Sequence, residues 1–121
     1  MTDIDKRVAT EIMGWAAFNS RFGENYNEWC VPDKKTKGMT GKVMCQQRDF
    51  NPSKKISDVF LVVERMRELG FYIRLRLSTN SGDWICQFIN IKTECGDIEV
   101  HKLAPMAICL AALECFTDEC T

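Results

Sequence analysis

From Phe71 to Leu77 the chain alternates strictly, with Phe71, Ile73, Leu75 and Leu77 set against Tyr72, Arg74 and Arg76. Successive side chains of a strand point to opposite faces, so this period fits a strand with one face buried. Thr79 to Asp83, which contains Asn80, Ser81 and Gly82, supplies a turn. Trp84 to Ile91 then answers as the second strand of a hairpin, with Trp84, Cys86 and Phe88 on one face and Ile85, Gln87 and Ile89 on the other. An antiparallel hairpin with an apolar face must be covered by the rest of the chain, and that requirement governs the remaining elements.

Three segments have the helical period needed for a cover. Ile4, Val8, Ile12 and Trp15 form one stripe of a helix expected from about Asp3 to Ala17, capped by Thr2 or Asp3. Asn51-Pro52-Ser53 opens a second helix, with Ser53 as its cap and Ile56, Val59, Phe60, Val63 and Met66 as its apolar face; Gly70 ends it. Pro105 starts the last helix, Met106 to Phe116, which is apolar nearly all round and is therefore expected to be deeply packed. Between the hairpin and that helix, Glu94 to Asp97 reads as a turn and Ile98 to His101 as a short strand.

Asn19 to Phe50 lacks a sustained period. Pro32, Gly38 and Gly41 punctuate it, and a strand is expected near Trp29 to Val31, another near Lys42 to Gln46, and a Lys-rich tip between Lys34 and Lys42. The order of helix, irregular strands, helix, antiparallel hairpin and helix defines an α+β fold. No linker or repeat divides the 121 residues, so one domain over 1–121 is expected, with a Lys-rich insertion around 19–50.

Composition removes several function classes. With 45% hydrophobic residues and 16 basic against 17 acidic side chains, the chain is neither a disordered tail nor a cationic coat for DNA or RNA. The opening Met1 to Arg7 has no apolar run of the kind a signal peptide requires, and Ala104 to Phe116 is too short for a membrane span; a cytoplasmic protein is expected. Seven cysteines, at 30, 45, 86, 95, 109, 115 and 120, form no CxxC pair and an odd total. Reduced thiols are expected, with no structural metal and no cofactor.

No catalytic constellation stands out. His101 is the sole histidine, Gly41-Lys42 lacks the rest of a phosphate loop, and Asp97 and Glu99 read as solvated carboxylates. The charge is unevenly spread, however: residues 29–78 carry a net +6 and the flanking segments −7. Within that basic middle, Arg74 and Arg76 share a strand face with Tyr72. Guanidinium offers a planar donor fork suited to phosphate, and an aromatic ring offers a stacking surface for a base. If instead both arginines met acids of the C-terminal segment, they would merely solvate the sheet. Trp84 is expected in the core, while the polar neighbours of Trp29 leave exposure or an oligomer interface open for it.

The segment Asp3 to Ala9, followed by Ile12-Met13-Gly14-Trp15, resembles the opening of the phage ABA sandwich domain, a family of small bacteriophage and prophage proteins. Asn51-Pro52-Ser53 with Ile56 to Asp58, Val62 to Met66, Trp84-Ile85-Cys86, and Ala104 to Leu113 extend the resemblance over most of the chain except about 19–49. The resemblance implies an α/β/α sandwich, a small antiparallel sheet packed between helices, and a phage origin with action in the host bacterial cytoplasm. It implies no catalytic motif. Joined to the basic middle, it leads to the expectation of a non-enzymatic, homo-oligomeric binding protein that sequesters a small nucleotide immune signal of the host, such as a cyclic ADP-ribose derivative. Arg74, Arg76 and Arg48 would hold the pyrophosphate, Tyr72, Trp29 or Tyr26 would stack on the base, and Gln87 or Asn90 would read ribose or base edges. The alternatives are a protein-binding module using the Lys-rich loop or a sheet edge, and a nucleotide-cleaving enzyme built on His101 with Asp97 or Glu99.

Overall fold

The structure, a computed structural model, describes residues 2–19, 21, 27–32 and 40–116. Helix α1 (Asp3–Arg7) runs into a π-helical turn (Val8–Ile12), followed by strands β1 (Ala16–Phe18), β2 (Glu28–Pro32) and β3 (Thr40–Gln46). A 3-10 turn (Gln47–Asp49) leads to α2 (Ile56–Glu68), then β4 (Phe71–Leu77), β5 (Trp84–Asn90), β6 (Ile98–His101) and α3 (Ala104–Glu114). Two three-stranded antiparallel sheets result, ordered β1-β2-β3 and β4-β5-β6. The class is α+β, with helices and sheets layered as a sandwich.

The first helix is shorter than its apolar stripe suggests. Its hydrogen-bond ladder widens so that the Met13 N–H donates to the Val8 carbonyl at 3.0 Å and the Trp15 N–H to the Ala9 carbonyl at 2.9 Å. Gly14 then adopts φ +71°, a left-handed conformation that a Cβ disfavours, and the helix stops there rather than at Ala17. Trp15 still reaches the core by this altered path, with its ring centroid 4.8 Å from that of Phe50. The released Ala16–Phe18 segment pairs with β2, a strand absent from the sequence expectation.

The second helix also starts later than expected, at Ile56, and Ser53 is not its cap. Ser53 is fully buried, and its N–H donates to Asp5 Oδ1 at 2.9 Å. Asp5 is itself fully buried; its Oδ2 accepts the Thr2 hydroxyl at 2.8 Å and the Thr2 N–H at 3.3 Å. This clasp joins the N-terminal capping box to the approach of α2 across 48 residues of chain. Nearby, the Asn51 N–H donates to Asp58 Oδ2 at 2.9 Å, which fixes the turn from the other side. Such bonds replace those that the Asp5 carboxyl and the Ser53 amide lose to water on burial.

One core links the layers. Val8, Ile12, Val59, Val62, Met66, Cys86, Phe88 and Leu113 are buried in it. Helix α3 packs on β5 and β6, and α2 lies against α3 and β4. The near-absence of polar side chains on α3 is explained by burial of Ala107, Ile108, Cys109, Ala111, Ala112 and Leu113. Trp84 is partly buried against this core, as expected. Ile56 and Phe60 do not meet the apolar expectation for α2: they are 54% and 62% exposed, because Val59, Val62 and Met66 define the buried stripe instead.

The expectation that all the cysteines are reduced is corrected at one position. Cys95 is disulfide-bonded, whereas Cys30, Cys45, Cys86, Cys109 and Cys115 are not in disulfides. Burial pushes the thiols of Cys45 and Cys115 up to about 11 and that of Cys86 up to about 12, which disfavours their thiolate forms.

Candidate functional site

The register of the β4-β5-β6 sheet decides which side chains share a face. Arg74 stands opposite Gln87, which in turn stands opposite Ile98; Arg76 stands opposite Ile85, which pairs with Val100. These residues, with Tyr72, occupy the face turned away from the helices. A shallow groove of about 600 Å³ opens there, lined by Arg74, Arg76, Ile85, Gln87 and Ile98, with Ile73 and Leu75 of β4 along its border. Both arginines are exposed, and among the described residues no carboxylate forms an ion pair with either. The ion pairs Arg7–Glu11, Arg65–Glu68 and Arg67–Glu64 lie along helices.

Gln87 is held in place. Its Nε2 donates to the Gly96 carbonyl at 2.6 Å, which leaves the side-chain oxygen as an acceptor beside the guanidiniums. Gly96 is required at that spot by close approach: a Cβ on it would lie 1.9 Å from the Phe88 carbonyl oxygen. Ile85 and Ile98 supply apolar floor between the polar groups, and Ile98 is 58% exposed. Two exposed cations, one amide and an apolar floor can hold a phosphorylated small molecule with a flat apolar part.

The other sequence-derived candidates divide. Tyr72 is 43% exposed on the same face, adjacent to Arg74, although it borders a neighbouring cleft rather than the groove itself. Arg48 lies in the 3-10 turn after β3, where its Nε donates to Gln46 Oε1 at 2.9 Å, and it does not line the groove. Asn90 faces the opposite side of the sheet, and its Oδ1 accepts the N–H groups of Lys92 and Thr93. Trp29 is only 2% exposed and belongs to the core, so it presents no ring for stacking; an exposed position for it is corrected by its burial. Tyr26 and the Lys34 to Lys37 part of the tip lie outside the described residues. Ile85 and Ile98 went unselected because a groove floor depends on cross-strand register, of which the sequence offered only the alternation within each strand.

His101 sits at the end of β6, where its Nδ1 accepts the Leu103 N–H at 3.0 Å. By register it shares with Glu99 the helix-covered face, away from the arginines. Burial, then Glu114 and Asp97, raises the Glu99 carboxyl above its ordinary value. Among the described residues no group of three or more His, Cys, Asp or Glu side chains is arranged to hold a metal ion, and no helix is long and apolar enough to cross a membrane.

A small α+β sandwich whose sheet is backed by helices on one face, and carries a bare arginine pair on the other, is the class of protein that these observations define. Its lineage is specific: the chain belongs to the phage ABA sandwich domain family, whose model matches residues 6–113. The fold is similar to that in the crystal structure of a phage protein from Bacillus cereus ATCC 14579, with a TM-score of 0.56 and 17% identity, over 93% of this chain and 85% of that one. No curated protein matches the chain.

Proposed function

We propose that this phage-family protein binds a small phosphorylated nucleotide on the outer face of its β4-β5-β6 sheet and sequesters it without cleaving it, so removing a host immune signal during infection. The observation that carries this reading is the pairing of Arg74 and Arg76 over a groove where, among the described residues, no carboxylate forms an ion pair with either. Two guanidiniums left to water offer a pyrophosphate several charge-assisted bonds, with no internal ion pair to break first. Gln87 supplies an edge contact for a sugar or base, and Tyr72 a stacking face beside the anion. Sequestration needs only this binding; the sole histidine lies on the opposite face of the sheet.

A depletion assay tests this. Protein is mixed with ADP-ribose, cyclic ADP-ribose or a cyclic dinucleotide, separated from free ligand and heated. Expected is loss of one nucleotide from solution and its intact recovery on heating. Arg74→Glu with Arg76→Glu abolishes the loss. A modified product on recovery points to an enzyme, and no depletion of any of the nucleotides overturns the reading.

A second reading has its own observation. Ile98 and Val100 are 58% and 52% exposed on the same sheet face, as suits a protein partner. A protein ligand would bury those two side chains, and Val100→Glu would weaken it while leaving nucleotide depletion intact.

A further inference from the structure

We infer that two copies of this chain pair edge to edge through β4, and that the anion site becomes complete only in that pair, with Arg74 and Arg76 of both protomers on one continuous sheet face. This rests on the anion-binding reading and adds to it where the second half of the site comes from.

Among the described residues, strand β4 lies at the end of its sheet and is bonded to β5 alone. Its register is unbroken from Phe71 opposite Asn90 to Leu77 opposite Trp84. At its two ends the Ile91 N–H donates to the Gly70 carbonyl and the Ser78 N–H to the Asp83 carbonyl. Alternation of bonding along an antiparallel pair then directs the even-numbered backbone groups to β5 and those of Phe71, Ile73, Leu75 and Leu77 outward. Among the described residues, nothing bonds to the outward amides and carbonyls of these four along the edge. None of the usual blocks is present: β4 has no proline, lysine or bulge, and its two charges project from the sheet face rather than across the edge.

The same odd-numbered residues carry the apolar side chains of the inner face, and the helices do not finish covering them. Leu75 and Leu77 are 41% and 51% exposed. On α2, Ile56 and Phe60 continue the helix face of Val63 and Arg67, and these last two line a cleft of about 210 Å³ with Phe71 and Ile73 of β4. A monomer therefore leaves a strand edge and an apolar strip side by side.

A second copy fits both. About a two-fold axis near Arg74 or Leu75, antiparallel β4 strands set outward amides against outward carbonyls, while parity keeps the inner apolar face continuous with itself. The pairing also brings four guanidiniums together on the outer face. Left alone they repel one another; an anion between them removes the repulsion, so pairing and anion binding are linked. An unrelated strand would satisfy the edge but leave only two arginines.

The test is native mass spectrometry and sedimentation of the full chain, with inorganic pyrophosphate or ADP-ribose added, alongside hydrogen exchange at the Ile73 and Leu75 amides. Expected is a dimer tightened about tenfold or more by pyrophosphate, with those two amides slow to exchange. Leu75→Lys, at a position 41% exposed at the rim of the inner face, should give a folded monomer by far-UV circular dichroism, with anion affinity reduced about tenfold or more. A wild-type monomer with fast-exchanging Ile73 and Leu75 amides overturns the pairing, even if it depletes nucleotide as the proposed function requires. A monomeric Leu75→Lys that binds anion as tightly as wild type overturns the shared site and leaves that function standing. A dimer that binds neither probe nor any nucleotide overturns both the function and the shared site.

Discussion

Asp5 and the Arg74–Arg76 pair are charge-bearing groups on opposite terms with solvent. The Asp5 side chain is completely buried and has three donors from two separate segments. The arginines are exposed, with no carboxylate among the described residues to meet them. A buried carboxyl must have its bonds to exist at all, so Asp5 serves the architecture; a cation kept in water is free to exchange that water for a ligand. The segments around Asp5 and Ser53 are among those that carry the family resemblance, and what joins them in space is a structural clasp. Membership of the family therefore speaks for the fold, while the argument for binding rests on the sheet face.

Substitutions can break or sharpen that contrast. Asp5→Ala should have the largest effect, a loss of about 3 kcal/mol or more of unfolding free energy in urea, because it strands the buried Ser53 N–H and removes the Thr2 bonds together. A loss below about 1 kcal/mol would mean that the clasp is not a main support of the fold. Gly96→Ala comes next, at about 1–3 kcal/mol, since the new methyl meets the Phe88 carbonyl and β5 or its neighbouring turn must shift. The same change should weaken nucleotide depletion by displacing Gln87, which connects the structural and binding regions.

Glu99→Gln should be smaller and opposite in sign. The native carboxyl is raised by burial, Glu114 and Asp97, so its ionised form is disfavoured in the fold. Below the ordinary value of 4.5 the carboxyl is protonated folded or unfolded, and its advantage to the fold is fully present; it is lost as pH rises through the higher folded value. The variant should therefore gain up to about 0.5 kcal/mol at pH 7, after solvent screening, and no such gain at pH 3, by thermal melts at the two values. Arg74→Glu with Arg76→Glu closes the series, with protomer stability within about 0.5 kcal/mol of wild type. A large loss of stability there would show that the arginines are structural and would erase the contrast with Asp5.

Much of the fold was legible because its periods were clean. Alternation located β4 and β5 within a residue of their ends, and the apolar run from Ala104 located α3. Reading failed where long-range geometry overrode a local period. The stripe through Trp15 concealed the break at Gly14, since a widened turn carries Trp15 inward along a different path. Phe60 fits an apolar helical face, yet α2 rotates Val62 inward instead. Asp5 and Ser53, 48 positions apart, gave no separate sign that one would bury the other's amide. For the site, same-face placement of Arg74, Arg76 and Tyr72 was readable from parity. The groove floor and the dispersal of Arg48, Asn90 and Trp29 required the register and the core.

The placement of the three tryptophans has a spectroscopic consequence. Trp15 and Trp29 are buried, Trp84 is turned toward the core, and none lines the arginine groove. Intrinsic emission will therefore follow unfolding faithfully yet remain nearly blind to a ligand on the outer face. A fourth indole, introduced as Tyr72→Trp beside Arg74, would turn that silent face into an optical titration, with a stacked base quenching it directly.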